Sequence, residues 1–92
     1  MYKYFHFKSQ FVGERYFKVD TENKKVIQIC LDRGTEKRGR VHCVGIYQIA
    51  YSSFMGSYYW FFGRKSSTEM KLTTPNQYKQ AVTKVMTKLL TP

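Results

Sequence analysis

Tyr58-Tyr59-Trp60-Phe61-Phe62-Gly63-Arg64-Lys65 is the stretch on which the fold turns. Five aromatic side chains stand in a row, followed by a glycine and two cations, and they include the only tryptophan of a 92-residue chain. A β-strand sends alternate side chains to opposite faces. Read as a strand, the stretch places Tyr58, Trp60 and Phe62 on one face and Tyr59 and Phe61 on the other. A single core absorbs one such face. The second needs another layer, a second subunit, or a ligand with flat apolar surfaces.

Downstream, residues 65–68 form a polar turn and residues 70–73 a short strand. One clear helix follows. Thr74 suits its N-cap, Pro75 its first position, and Gln77 the third residue of a capping box. Tyr78, Ala81, Val82, Val85, Met86 and Leu89 then recur at helical spacing on one face. The junction from Leu72 to Tyr78 resembles the sheet-to-helix end of the single-stranded-DNA-binding transcriptional coactivators. It does so through residues that any capped helix uses, and the long run 41–64 has no counterpart there.

Upstream, residues 2–8, 14–20 and 25–31 read as strands, the last two joined in a hairpin by a short polar turn. Residues 32–40 carry two glycines and a net charge of +2 without periodicity, which marks a loop. Residues 41–54 read as a long β-prone run with Gly45 as a possible bulge, and residues 55–57 turn the chain into the aromatic strand 58–64. The expected class is α+β: an antiparallel sheet of about five strands with a single C-terminal amphipathic helix packed on one face. In that two-layer arrangement the other sheet face stays open for a partner.

Ninety-two residues make one domain. Apolar content of 42% suits a globular fold, and the aromatic share of 17% is large. Sixteen Lys and Arg oppose six Asp and Glu, for a net charge of +10 and a pI near 9.8. Each half of the chain is about five units positive, so the folded body itself attracts polyanions. No apolar run approaches the ~20 residues of a membrane span, and the charged N-terminus does not read as a secretory signal. The expected compartment is the cytoplasm, with Cys30 and Cys43 as thiols.

These features point to a non-catalytic protein that binds RNA or single-stranded DNA in preference to duplex DNA, as a homodimer. The candidate contacts are Arg33, Lys37, Arg38 and Arg40 of the basic loop, and Tyr58, Tyr59 and Trp60 as stacking groups beside Arg64 and Lys65. Lys79, Lys84 and Lys88 of the helix complete the set. Aromatic rings stack on unpaired bases and cations hold the adjacent phosphates. The competing reading of the aromatic stretch is core on one face and dimer interface on the other. That of the loop and the helix lysines is a solvated surface.

Metal binding by Cys30, His42, Cys43 and His6 fits no zinc spacing, so no metal and no cofactor are expected. A hairpin turning about residues 36 and 37 would instead set Cys30 opposite Cys43. Catalysis has His6, His42, Glu14, Glu36 and the tyrosines to draw on, but no phosphate-cradling glycine loop, nucleophile elbow or carboxylate cluster. No enzyme is expected. The alternative function is a small inhibitor or adaptor of the phage or mobile-element type, docking on a host protein or a protein–RNA complex such as a nuclease. A small basic ribonuclease ranks third.

Overall fold

The computed structural model describes residues 1–10, 13–32, 44–64 and 67–90. Strands β1 (Tyr2–Ser9), β2 (Gly13–Asp20), β3 (Lys25–Cys30), β4 (Gly45–Ala50) and β5 (Thr68–Leu72) form one sheet in the order β4-β3-β2-β1-β5, every neighbour antiparallel. Helix α1 (Tyr51–Ser57) follows β4 directly, a 3-10 turn covers Tyr59–Phe61, and helix α2 (Pro75–Leu90) ends the fold. The α+β class is as expected.

Local chemistry sets the reversals. Between β2 and β3 the Asp20 carboxylate accepts the backbone N–H groups of Glu22 and Asn23 and the Asn23 side-chain amide, an Asx turn. These bonds hold the Asp20 carboxyl below its ordinary range. Gly13 opens β2 at φ +102°, and a Cβ there would meet the Asp32 backbone carbonyl, so only glycine fits. At α2, Thr74 caps as expected, its Oγ1 accepting the Gln77 N–H at 3.1 Å.

The register sorts the side chains of β1–β3 to two faces. Phe5, Phe7, Phe17, Val19 and Val26, with Met70 of β5, form one buried cluster. Ile29 and Leu31 face the other way and pack with Ala81 and Val85 of α2, flanked by Tyr16, Ile27, Tyr78 and Val82.

The first of these faces overturns two expectations. Residues 58–64 do not form a strand, and the sheet has no open second face. Within the run read as a strand at 41–54, residues 41–43 lie outside the described residues, Gly45–Ala50 is strand, and the chain then turns into α1. Tyr51, Phe54, Tyr58 and Phe61 recur at intervals of three, four and three, which is helical spacing. Those four side chains pack on the cluster of Phe5, Phe7 and Phe17, with Phe54 only 1% exposed. The aromatic segment is therefore a lid on the sheet. Only Phe62 touches the ladder, as an isolated parallel bridge to Met70.

Two finer expectations also change. Gly45 is not a bulge but pairs regularly with Cys30, and the Tyr47 side chain lies over it, where a Cβ would come within 2.9 Å of the hydroxyl. Cys30 is thus opposite Gly45 rather than Cys43, and its buried thiol donates to the Asp32 backbone carbonyl at 3.3 Å. No helix among the described residues is long and apolar enough to cross a membrane.

Candidate nucleic-acid interface

The lid decides which aromatic rings reach solvent. Tyr58 turns inward, its ring 5.1 Å from Phe7 and 4.8 Å from Phe17. Buried Arg15 of β2 donates from Nη1 to the Tyr58 hydroxyl and lies 5.6 Å from the ring centre. Burial pushes the Tyr58 phenol up, with Arg15 partly opposing. Tyr58 is thus a structural anchor and not an exposed stacking group. Tyr59 is partly exposed and stacks on Phe62, with ring centres 5.3 Å apart and planes 13° from parallel.

Trp60 is 56% exposed. Arg64 folds back over it, with the guanidinium carbon 3.9 Å from the indole centre, and donates from Nε to the Trp60 backbone carbonyl at 2.8 Å. The chain turns back after the 3-10 segment, with Gly63 at φ +79° and the Arg64 backbone N–H donating to the Phe61 carbonyl at 3.1 Å. The product is a flat, cationic, exposed surface two layers thick. Planes of this kind, indole or guanidinium, are those on which unpaired bases stack.

The remaining candidates separate. Lys79 and Lys84 are exposed and line a shallow groove on the outer side of α2 with Asn76, Gln80 and Thr83. They lie across the sheet from Trp60. Lys88 donates from Nζ to the Leu31 backbone carbonyl at 2.8 Å, tying α2 to the end of β3, so its role is structural. Arg33, Lys37, Arg38, Arg40 and Lys65 lie outside the described residues, as do His42, Cys43 and Glu36. His6 and Cys30 face opposite sides of the sheet.

Four of the five described acidic side chains are held locally. Glu14 binds His6 at 2.6 Å, Glu69 binds Lys71 at 3.3 Å, Glu22 lies 3.6 Å from the N-terminal amine, and Asp20 sits in its turn. Lys18 and Lys24 lie over the rings of Tyr2 and Tyr51 instead. Among the described residues, Lys3, Lys18, Lys24, Lys25, Lys79 and Lys84 make no ion pair. Their charge remains available to a polyanion at long range.

One feature lies outside the expected interface. On the α2 side of the sheet, beyond the reach of α2, a pocket of about 830 Å³ is lined by His6, Lys8, Glu14, Asp32, Glu69 and Lys71, among others. His6 and Glu14 were named as possible catalytic groups from sequence. Lys8 and Lys71 join them only through the strand register, which sets Lys8 opposite Glu14 and His6 opposite Lys71.

Compared with protein-family models, curated proteins and solved structures, the chain matches none. The likeness of the 72–78 junction to the coactivators therefore rests on a capped helix alone.

Proposed function

We propose that this protein binds single-stranded nucleic acid, RNA or single-stranded DNA, with little sequence preference. The observation that carries the reading is the exposed Trp60 indole with Arg64 stacked on it, in a molecule of net charge +10. Unpaired bases stack on the Trp60–Arg64 surface, and unpaired lysines draw in the phosphates. Duplex DNA is disfavoured because α2 is committed to the sheet, so among the described residues no helix is presented for a major groove. The reading includes a cytoplasmic location, where Cys30 stays a thiol.

Fluorescence anisotropy with labelled single-stranded RNA, single-stranded DNA and duplex DNA at two salt concentrations tests the proposal. Saturable, salt-sensitive binding that favours single strands is expected. Trp60→Ala should weaken it by ~1–3 kcal/mol per stacked base with the fold intact. Absence of binding at low salt would refute the reading.

A second reading, docking on a protein as an inhibitor or adaptor, is favoured by one observation. Met86, Leu89 and Leu90 of α2 remain 46%, 57% and 80% exposed. The same stripe supports the proposed homodimer. Sedimentation at physiological salt checks this, and a monomer would remove the dimer from the account.

A further inference from the structure

The pocket on the β1–β2–β5 side of the sheet's α2 face holds an acid–base arrangement that stacking and charge attraction do not use. His6 Nε2 lies 2.6 Å from Glu14 Oε2. An ionised carboxylate only accepts hydrogen bonds, so the contact requires the proton on Nε2 and leaves the neutral ring with a lone pair on Nδ1. The imidazole is also stacked on Tyr16, with ring centres 4.5 Å apart and planes at 29°. Burial and the Glu14 charge both push the Tyr16 phenol up, so it stays neutral beneath the ring. Two adjacent strands, β1 and β2, thus fix the orientation of one histidine in an open pocket. Lys8 lines the same pocket and makes no ion pair among the described residues, while Lys71 faces His6 across the β1–β5 ladder.

We propose that this pocket cleaves RNA by metal-free transesterification, an inference that rests on the single-strand-binding reading. His6 Nδ1 takes the proton of a ribose 2′-hydroxyl, and the 2′ oxygen attacks the adjacent phosphorus. The bond from phosphorus to the 5′ oxygen breaks, and the leaving oxygen takes a proton from the Lys8 ammonium. The products are a 2′,3′-cyclic phosphate and a 5′-hydroxyl, and no water, metal or oxidant is consumed. Solvent then returns the His6 proton to Lys8. Glu14 is a positioning residue, because its carboxylate holds the ring and balances the imidazolium that forms. Lys71 lies against the charge that develops on the phosphoryl oxygens.

Two features of the architecture support the assignment. With His6 neutral, the pocket sets Glu14, Glu69 and Asp32 against Lys8 and Lys71, so it carries no excess of positive charge. It grips a phosphate weakly in the ground state, and affinity comes from the stacking surface. Second, β5 is an edge strand shared by both regions. Its Met70 lies under the lid and bridges to Phe62, while Glu69 and Lys71 line the pocket. A strand stacked on Trp60 reaches the pocket by passing around that edge.

The test incubates recombinant protein in chelator with labelled random-sequence single-stranded RNA and with its all-deoxy counterpart. Anisotropy is measured in parallel on the deoxy strand. Cleavage of RNA alone, with cyclic phosphate ends, is expected. His6→Ala should lower the rate about 10²-fold or more without changing deoxy-strand affinity, and added imidazole should restore part of it. Glu14→Gln should lower kcat while leaving KM unchanged. His6→Asn guards against a folding defect in the alanine variant, with circular dichroism on each. Intact RNA despite tight deoxy-strand binding would overturn the cleavage inference and leave the binding reading standing. Cleavage that survives both His6 variants would overturn it equally. Failure to bind the deoxy strand and RNA alike would remove the binding reading itself.

Discussion

Helix α2 and the α1 lid cover opposite faces of one sheet by different means. The sixteen-residue α2 is an ordinary amphipathic helix that seats small side chains, Ala81 and Val85, against Ile29 and Leu31. The lid is seven helical residues and a 3-10 turn, too short to be stable alone. It is held by large rings, with Phe54 seated 5.0 Å from Phe17 and 5.5 Å from Phe5, and Tyr58 tied to Arg15. A cover made of few, large anchors leaves other rings over. Trp60, Tyr59 and Phe62 are those rings, and they are what the proposed ligand meets. The proposed binding surface is thus the outer side of a structural lid.

The contrast predicts unequal responses to mutation. Phe54→Ala removes the central anchor of the lid and should cost ~3–5 kcal/mol, read as a large fall in the thermal midpoint and a loss of Trp60 signal. Val85→Ala, at a fully buried position on the inner face of α2, should cost about 2 kcal/mol at most. A larger penalty at Val85 than at Phe54 would reverse the comparison.

Smaller effects sharpen it. Gln28 is fully buried on the lid side, and its side-chain amide has no hydrogen-bond partner among the described residues. Leaving such a group unsatisfied costs ~1–3 kcal/mol, so Gln28→Leu should raise stability in urea denaturation. A fall would mean that the amide is satisfied in solution. On the α2 side, burial, with Tyr4 beside it, pushes the Tyr78 phenol up to about 12. The folded value exceeds the ordinary value near 10, so this stabilisation is complete below pH ~10 and is lost as pH rises towards ~12. Tyr78→Phe should make the alkaline decline of stability less steep over that window, as measured by melts at successive pH values. An unchanged decline would show that Tyr78 is not desolvated.

How legible each region was follows from the same physics. Strands β1 to β3 alternate cleanly, and α2 announces itself through Thr74, Pro75, Gln77 and its apolar stripe. The lid was hidden because Tyr and Phe favour strands, so composition spoke louder than the spacing of Tyr51, Phe54, Tyr58 and Phe61. Those four positions carried the signal, and their spacing decides that Trp60 points out while Tyr58 points in. The His6–Glu14 pocket depends on cross-strand register. The β1–β2 pairing sets Tyr16 opposite His6 and Glu14 opposite Lys8, an alignment that alternation alone leaves open. Lys88 reads from sequence as a candidate phosphate contact or a solvated helix charge, and only the tertiary fold brings the Leu31 carbonyl to it.

Trp60 is the only tryptophan, so its fluorescence reports the proposed contact without ambiguity. Titration of the protein with unlabelled single-stranded RNA and single-stranded DNA at low salt, following that emission, tests the central claim most directly. Saturable quenching, weakened by salt and by Arg64→Ala, is the predicted result. Emission that stays constant while anisotropy shows the strand fully bound would contradict the account, because the nucleic acid would then lie elsewhere on the molecule.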